Sequence, residues 1–476
     1  MMKKPRVGRS ASGRRAKAPD RRRMISLDKN WRFQLGDEPG AEQPGFDDSG
    51  WRVLDVPHDW SIEGSSKGLA SERAANMEGP FDPACPGVHD TGYLNGGTAW
   101  YRKTLRLPAN AVGKQVILEF DGVYMDSDTW INGEHLGRHP YGYTGFHYDL
   151  TPHLKQGRNE NVIAVRVRVI QPCSRWYSGA GVYRRVRLVI KEHVNIAHWG
   201  VHVTTPVVSD KEAIVRVRTQ VHNEGARAGT VLLKTAIMDQ LGDTVGEAVA
   251  TQDITPGATF EFDFTVKVDM PRRWSIDDPF LYSAVSELQL VGSRKVDTSI
   301  TSFGIRAIEF TVDRGFFLNG KHVPLKGVCN HHDLGCLGSA MNRRGIERQL
   351  EIMRKMGCNA IRTSHNPPAP EFLDLCDRMG FVVMDECFDE WKIAKKEYGY
   401  ARFYDEWSEA DLVSMLRRDR NHPCISMWSV GNEVPEQDAA NGRAIVQRLV
   451  DICHREDPSR PVVSACNMPA NAVKTG

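Results

Sequence analysis

The chain has 476 residues, 41% hydrophobic and 26% charged, a globular balance that excludes a disordered or collagen-like chain. No run approaches the ~18 apolar residues of a membrane-spanning helix, and ten cysteines are too sparse for a disulfide scaffold. The formal charge of +2 hides a split: residues 1–23 hold ten Lys/Arg and one acid, leaving 52 basic against 59 acidic residues, a net −7 that argues against a nucleic-acid-binding body.

The basic stretch 1–23 has no apolar core of a signal peptide and no aromatic residue among its charges, so it reads as a disordered, solvated tail. Folded sequence begins at Met24. From Trp31 to Ile190 the pattern is β: Tyr101 to Leu107 alternates, as do Val116 to Phe120 and Val162 to Val169. Trp130-Ile131-Asn132-Gly133-Glu134 carries an Asn-Gly step, a two-residue hairpin signal because both central positions need positive φ. Many short strands with Gly, Pro and Asp between them predict a jelly-roll sandwich over residues 24–192. Residues 193–303 continue as β, with strands at 213–221, 231–238, 259–268 and 282–290, and predict an immunoglobulin-like sandwich.

A second Asn-Gly hairpin at Asn319-Gly320 leads into strand–helix alternation. Strands are expected at 325–328, 359–362, 381–384, 425–430 and from Pro461. Helices are expected around Ile346–Met356, Pro370–Met379 and Ile445–Cys453, and another opens at a Ser408/Asp411 capping box. Short connections and continuous apolar strands such as Phe381-Val382-Val383-Met384 mean a parallel sheet, either doubly wound or a (β/α)₈ barrel.

Polar residues gather just past the end of each parallel strand: Asn330 to Asp333, then Arg362 to Asn366, then Asp385 and Glu386, then Asn432 and Glu433. Barrel enzymes build their sites at this rim. One such cluster alone is more often a hydrogen-bonded loop, but four in register point to a site. His331 and His332 are adjacent and point apart, and no H-x-H or H-E-x-x-H spacing occurs, so no metal is expected. The run Gly64-Ser65-Ser66-Lys67-Gly68 spells G-x-S-x-G but follows no apolar strand, so it makes no nucleophile elbow, and there is no phosphate loop. Carboxylate chemistry remains. Glu433 follows the apolar Trp428-Ser429-Val430, and a carboxyl group beside an apolar wall holds its proton more tightly, which suits a general acid for a glycosidic oxygen.

Three motifs together resemble glycoside hydrolase family 2: Trp428-Ser429-Val430-Gly431-Asn432-Glu433, Arg362-Thr363-Ser364-His365-Asn366-Pro367 and Lys326-Gly327-Val328-Cys329-Asn330-His331-His332-Asp333. The run from Ser174 to Arg184 resembles the β-galactosidase branch. The resemblance implies Glu433 as general acid/base, Asn432 as the amide on the sugar 2-hydroxyl, and His331, Arg362 and His365 as residues that bind sugar or hold the catalytic carboxylates. It implies a jelly roll, an immunoglobulin-like domain and, over residues 304–476, the first part of a (β/α)₈ barrel. Some members bind magnesium through a Glu and a His that match Glu390 and Lys392, so the Lys argues against that ion. Arg168-Val169-Ile170 stands where this branch often continues into Asp-Asn, which puts one sugar contact in doubt.

The family's nucleophile is a Glu on the seventh strand, and the chain reaches about the fifth. The expectation is therefore a retaining exo-β-galactosidase that lacks its C-terminal part and is inactive alone. The alternatives are another family 2 exo-β-glycosidase such as a β-glucuronidase, or a non-catalytic carbohydrate-binding fragment. The expected partner is a β-galactoside, without cofactor, nucleic acid or membrane, and a homo-oligomer is left open. Eight of the ten cysteines lie between Cys329 and Cys466 without a CxxC pair, which fits a reducing, cytoplasmic setting.

Overall fold

The computed structural model describes residues 22–64, 74–155, 159–292 and 295–468. The first unit packs a six-stranded antiparallel sheet against a four-stranded one. The larger centres on Gly97–Arg106 paired with Glu160–Val169, and the smaller on Val186–Lys191 paired with Gln115–Phe120. Asn132 and Gly133 turn the Ser127–Ile131/Glu134–His139 hairpin with φ of 53° and 88°, as the Asn-Gly step requires.

Two residues of the expected disordered tail are instead built into this body. Arg23 starts the strand Arg23–Ser26, which pairs with Val186–Lys191. Arg22 forks onto the fully buried Asp297 of the second unit, with Nη2 2.6 Å from Oδ2. Such a buried carboxylate needs a cation. The rest of that stretch, residues 1–21, lies outside the described residues.

The second unit is a sandwich of three and four antiparallel strands. The strictly alternating burial of Glu212–Asn223 and Thr259–Asp269 sends Val215, Val217 and Val221, with Phe262 and Phe264, into a shared interior with Leu233 and Leu288. A three-stranded antiparallel sheet follows, again turned by an Asn-Gly pair, with φ of 53° at Asn319 and 77° at Gly320.

The third unit is a parallel sheet whose order is its sequence order: β1 (Gly327–Asn330), β2 (Ala360–Thr363), β3 (Val382–Glu386), β4 (Ile425–Asn432) and β5 (Val462–Ala465). Helices α1 (Arg343–Lys355), α2 (Pro370–Met379), α3 (Tyr404–Asp419) and α4 (Gly442–Glu456) connect the strands in turn, giving a partial barrel. Asn342 caps α1 by accepting from the Gly345 amide at 2.9 Å. Pro370 opens α2 and Gly380 ends it in the left-handed region. A Cβ on Gly380 would lie 2.1 Å from the Ile276 carbonyl of the second unit, so that interface also demands glycine.

Helix α3 starts four residues before the expected cap. Ser408 and Asp411 are interior to it and buried, and Asp411 instead accepts from Thr144 Oγ1 of the first unit at 2.6 Å. Ser408 accepts from Arg448 of α4, so two residues with separate tertiary partners imitate a capping box in sequence. Among the described residues no helix is long and apolar enough to cross a membrane, and all ten cysteines are free.

Candidate active site

Strand alternation decides which residues of each cluster meet. On β3, Glu386 faces the barrel interior. Asp385 faces the helices, where burial and then Asp419 push its carboxyl up. On β4, Ser429 faces inward and Trp428 outward, with its indole donating to Asp457 at 3.1 Å. After β1, His331 packs on Trp176 with ring centroids 5.0 Å apart, edge-on to His365 at 5.6 Å. Its neighbour His332 turns the other way, under the first unit, with Nε2 3.1 Å from the Ser178 carbonyl. Burial and then the Arg184 cation lower the pKa of His332 to about 3, so it is neutral.

Glu386 is fully buried at the centre of the cluster. Arg362 donates from Nε to its Oε2 at 2.9 Å and from Nη2 at 2.8 Å. His365 Nδ1 lies 2.6 Å from its Oε1, and the Ser429 hydroxyl donates at 2.5 Å. Burial works against the Arg362 cation, but Glu386 outweighs it and the pKa rises. Arg362 also donates to Asn432 Oδ1 at 2.8 Å. Four of the five expected residues therefore occur with Glu386, in one connected patch. Glu386, which in sequence is only one of a pair of acids at a strand end, is the carboxylate at the centre of this patch.

Glu433 follows Asn432 directly. Its φ of 46° is left-handed and turns the chain sharply out of β4, while its amide stays on the Ala465 carbonyl of β5 at 2.7 Å. A non-glycine residue there carries strain of roughly 1 kcal/mol. The preceding Gly431 is required by packing, since a Cβ would lie 2.7 Å from the Trp391 ring.

The surroundings of Glu433 differ from the expected apolar wall. Its side chain is 40% exposed, and its charged neighbour is Arg175 Nη1 at 3.7 Å. Arg175 comes from the first unit and forks onto Asp389 at 2.6 and 3.0 Å. Asp389 also takes the Asn432 amide at 2.8 Å and Lys395 Nζ at 3.1 Å. Burial opposes ionisation of Asp389, but Arg175, Lys395 and Asn432 outweigh it and hold its carboxyl low. Arg175 and Asp389 were not among the expected site residues, although Arg175 lies within the Ser174–Arg184 run. A strictly local reading of strand ends has no means of bringing in a loop from another unit.

The positions matched to magnesium ligands do not fit that ion. Glu390 spends its two oxygens on the backbone amides of Lys395 at 2.6 Å and Ala401 at 2.9 Å. Lys392 is a cation, paired with Asp405 at 2.6 Å. Gln171 turns from the site and bonds Thr91, Leu94 and Gly96.

Family models fit almost the whole of this architecture: the glycosyl hydrolases family 2 sugar-binding domain over residues 24–192, the family 2 middle domain over 194–306 and the family 2 TIM-barrel domain over 310–475. The chain belongs to glycosyl hydrolase family 2. It is 42% identical over 480 residues to a β-galactosidase of Bacteroides ovatus, covering 94% of this chain and 54% of that protein. It is 29% identical to a β-glucuronidase of Bacteroides fragilis, covering 94% and 62%. A solved family 2 member from Bacteroides cellulosilyticus superimposes with a TM-score of 0.90 at 38% identity, over 95% of this chain and 57% of that one. This family 2 chain thus spans little more than half the length of these relatives.

Proposed function

We propose that this chain carries the acid/base half of a retaining exo-β-glycosidase site that cleaves terminal β-D-galactosides. Glu433 is the proton donor to the leaving oxygen and later the base for the attacking water. The observation behind this is the placement of a half-open Glu433 beside a pinned Asn432, above a saturated, buried Glu386. Arg362 and Asp389 each grip one side of the Asn432 amide, leaving one N–H of that amide for a sugar hydroxyl. His331, His365 and Trp176 supply the adjacent wall.

Retention needs a second carboxylate about 5–5.5 Å from the first. Glu386 and Asp389 are poor nucleophiles, because Arg362, His365 and Ser429 hold the first and Arg175, Lys395 and Asn432 the second. By the family resemblance the nucleophile is a further Glu on the seventh barrel strand, outside the described residues.

The second reading is a β-glucuronidase. A uronate brings an extra carboxylate that calls for a free cation. Among the described residues, Arg175, Lys395 and Arg362 are each already bound to a carboxylate, which favours a neutral sugar, as does the similarity to a β-galactosidase. The test is a comparison of aryl β-D-galactoside with aryl β-D-glucuronide on the longest protein expressible from this reading frame. NMR of the first-formed sugar should show β-galactose. Preference for the glucuronide, or initial α-galactose, would overturn the assignment.

A further inference from the structure

At the opposite end of the parallel sheet, a cleft of about 510 Å³ opens between the second unit and the starts of β4 and β5. Six arginines line it (Arg216, Arg218, Arg306, Arg420, Arg455 and Arg460), and its described wall carries no carboxylate. The acids that compensate some of these charges, Glu261, Asp263, Glu409, Glu456 and Asp457, are not among the residues that line the cleft. Arg306 differs. It is 9% exposed and donates to the Pro423 and Ile425 carbonyls, and no described carboxylate pairs with it. Burial and then Arg460 lower its pKa to about 9.

Two donors buried in this wall lack an acceptor. Arg218 Nη2 lies 2.7 Å from His202 Nδ1. An arginine only donates, so Nδ1 accepts and the ring hydrogen sits on Nε2. His202 is 2% exposed, and that Nε2 has no partner among the described residues. Arg420 Nε is likewise buried and unpartnered. Buried donors without acceptors are costly, and an uncompensated guanidinium beside them adds to that cost.

We propose that this cleft binds a small, multiply charged oxyanion of the phosphate class, free or esterified to a sugar. The anion neutralises Arg306 against the wall in which His202 Nε2 and Arg420 Nε are left without acceptors, with the half-buried Arg218 at the mouth. The site is independent of the glycosidase site, lying at the other end of the strands.

Thermal unfolding and calorimetric titration of the full chain test this, using inorganic phosphate and glucose 6-phosphate as probes, with sodium chloride at matched ionic strength as control. Both probes should raise the unfolding midpoint saturably beyond chloride. Tighter binding of glucose 6-phosphate would assign the esterified form, and equal or weaker binding the free ion. Arg306→Gln should weaken binding by about ten- to a hundredfold, the worth of a charge-assisted hydrogen bond. Arg218→Gln, at a half-exposed position, should keep the fold and weaken binding less, so it decides the matter if Arg306→Gln does not fold. No response beyond chloride, or an undiminished response in a folded Arg218→Gln, would overturn the proposal.

Discussion

The immunoglobulin-like unit and the parallel sheet solve the burial problem differently. In the sandwich, two sheets cover each other, and Val215, Val217, Leu233 and Leu288 are fully buried by partners of the same unit. In the parallel sheet, only the central strands reach that state. Ile425, Trp428 and Val430 on β4 are fully buried, whereas every residue of β5 is half-buried and Cys329 on β1 is exposed. The sandwich closes a core of its own. The sheet holds Arg362, Glu386, Asn432 and Glu433 at its rim and relies on neighbours to cover it. Stability and function are thus largely assigned to different units, and substitutions can separate them.

The largest separation is expected at Glu433. Because the side chain is half open and its nearest ion pair is a loose one, 3.7 Å from Arg175, Glu433→Gln should leave the unfolding midpoint nearly unchanged. In the catalytically complete protein it should slow glycosides with poor leaving groups by about 10²–10⁴-fold. Aryl substrates with activated leaving groups should be slowed less in their first step. Equal losses of glycosylation rate for both classes would remove Glu433 from the acid role.

Arg362→Ala should break the separation, because it strips the guanidinium from a carboxylate with no exposed surface. Removing one partner of a buried pair typically costs about 3–5 kcal/mol. Urea unfolding should show that loss together with loss of sugar binding. A stable variant would mean that His365 and Ser429 suffice for Glu386.

Leu233→Ala in the sandwich should cost about 2–5 kcal/mol through the cavity it leaves, with no change in the pH profile of any activity. Val463→Ala on the half-buried β5 should cost less. If the two were equal, the contrast between the units would be only apparent.

The smallest effect concerns the junction between these units. Trp274 of the second unit donates its indole N–H to the Asp377 carbonyl, and the Asp377 carboxylate lies 2.6 Å from His422 Nδ1. Burial disfavours the His422 cation, but Asp377 outweighs it and raises the pKa to about 9. A raised folded-state pKa gives stability that is complete below the unfolded value near 6.5 and lost as pH rises through 9. Unfolding free energy should therefore fall by about 1–3 kcal/mol over that window, and His422→Asn should flatten the slope. An unchanged slope would place the pH dependence elsewhere.

Much of this was legible in the sequence. Both Asn-Gly turns, the alternation of the sandwich strands and the five parallel strands follow from local rules, and so do the rim positions of Arg362, His365, Asn432 and Glu433. What escaped was set by distant partners. Ser408 and Asp411 look like a cap because their true partners lie elsewhere, for Asp411 on Thr144 and Tyr400. Trp428 and Val430 suggested an apolar setting for Glu433, but both face the helices, and the carboxylate instead meets a guanidinium from a loop some 250 residues earlier.

That loop also bears on how such a protein can change. Besides Arg175 on Asp389, its Ser178 carbonyl receives His332, and Arg184 donates to the Pro367 carbonyl at 2.7 Å. A recombinant gene that exchanged the first domain alone would arrive with foreign fingers in the rim and lose these matches at once. Crossovers that spare residues 174–184 together with 331–389 would be tolerated far better. The heritable module is therefore a loop and the rim it enters, cutting across the boundary that a domain map would draw.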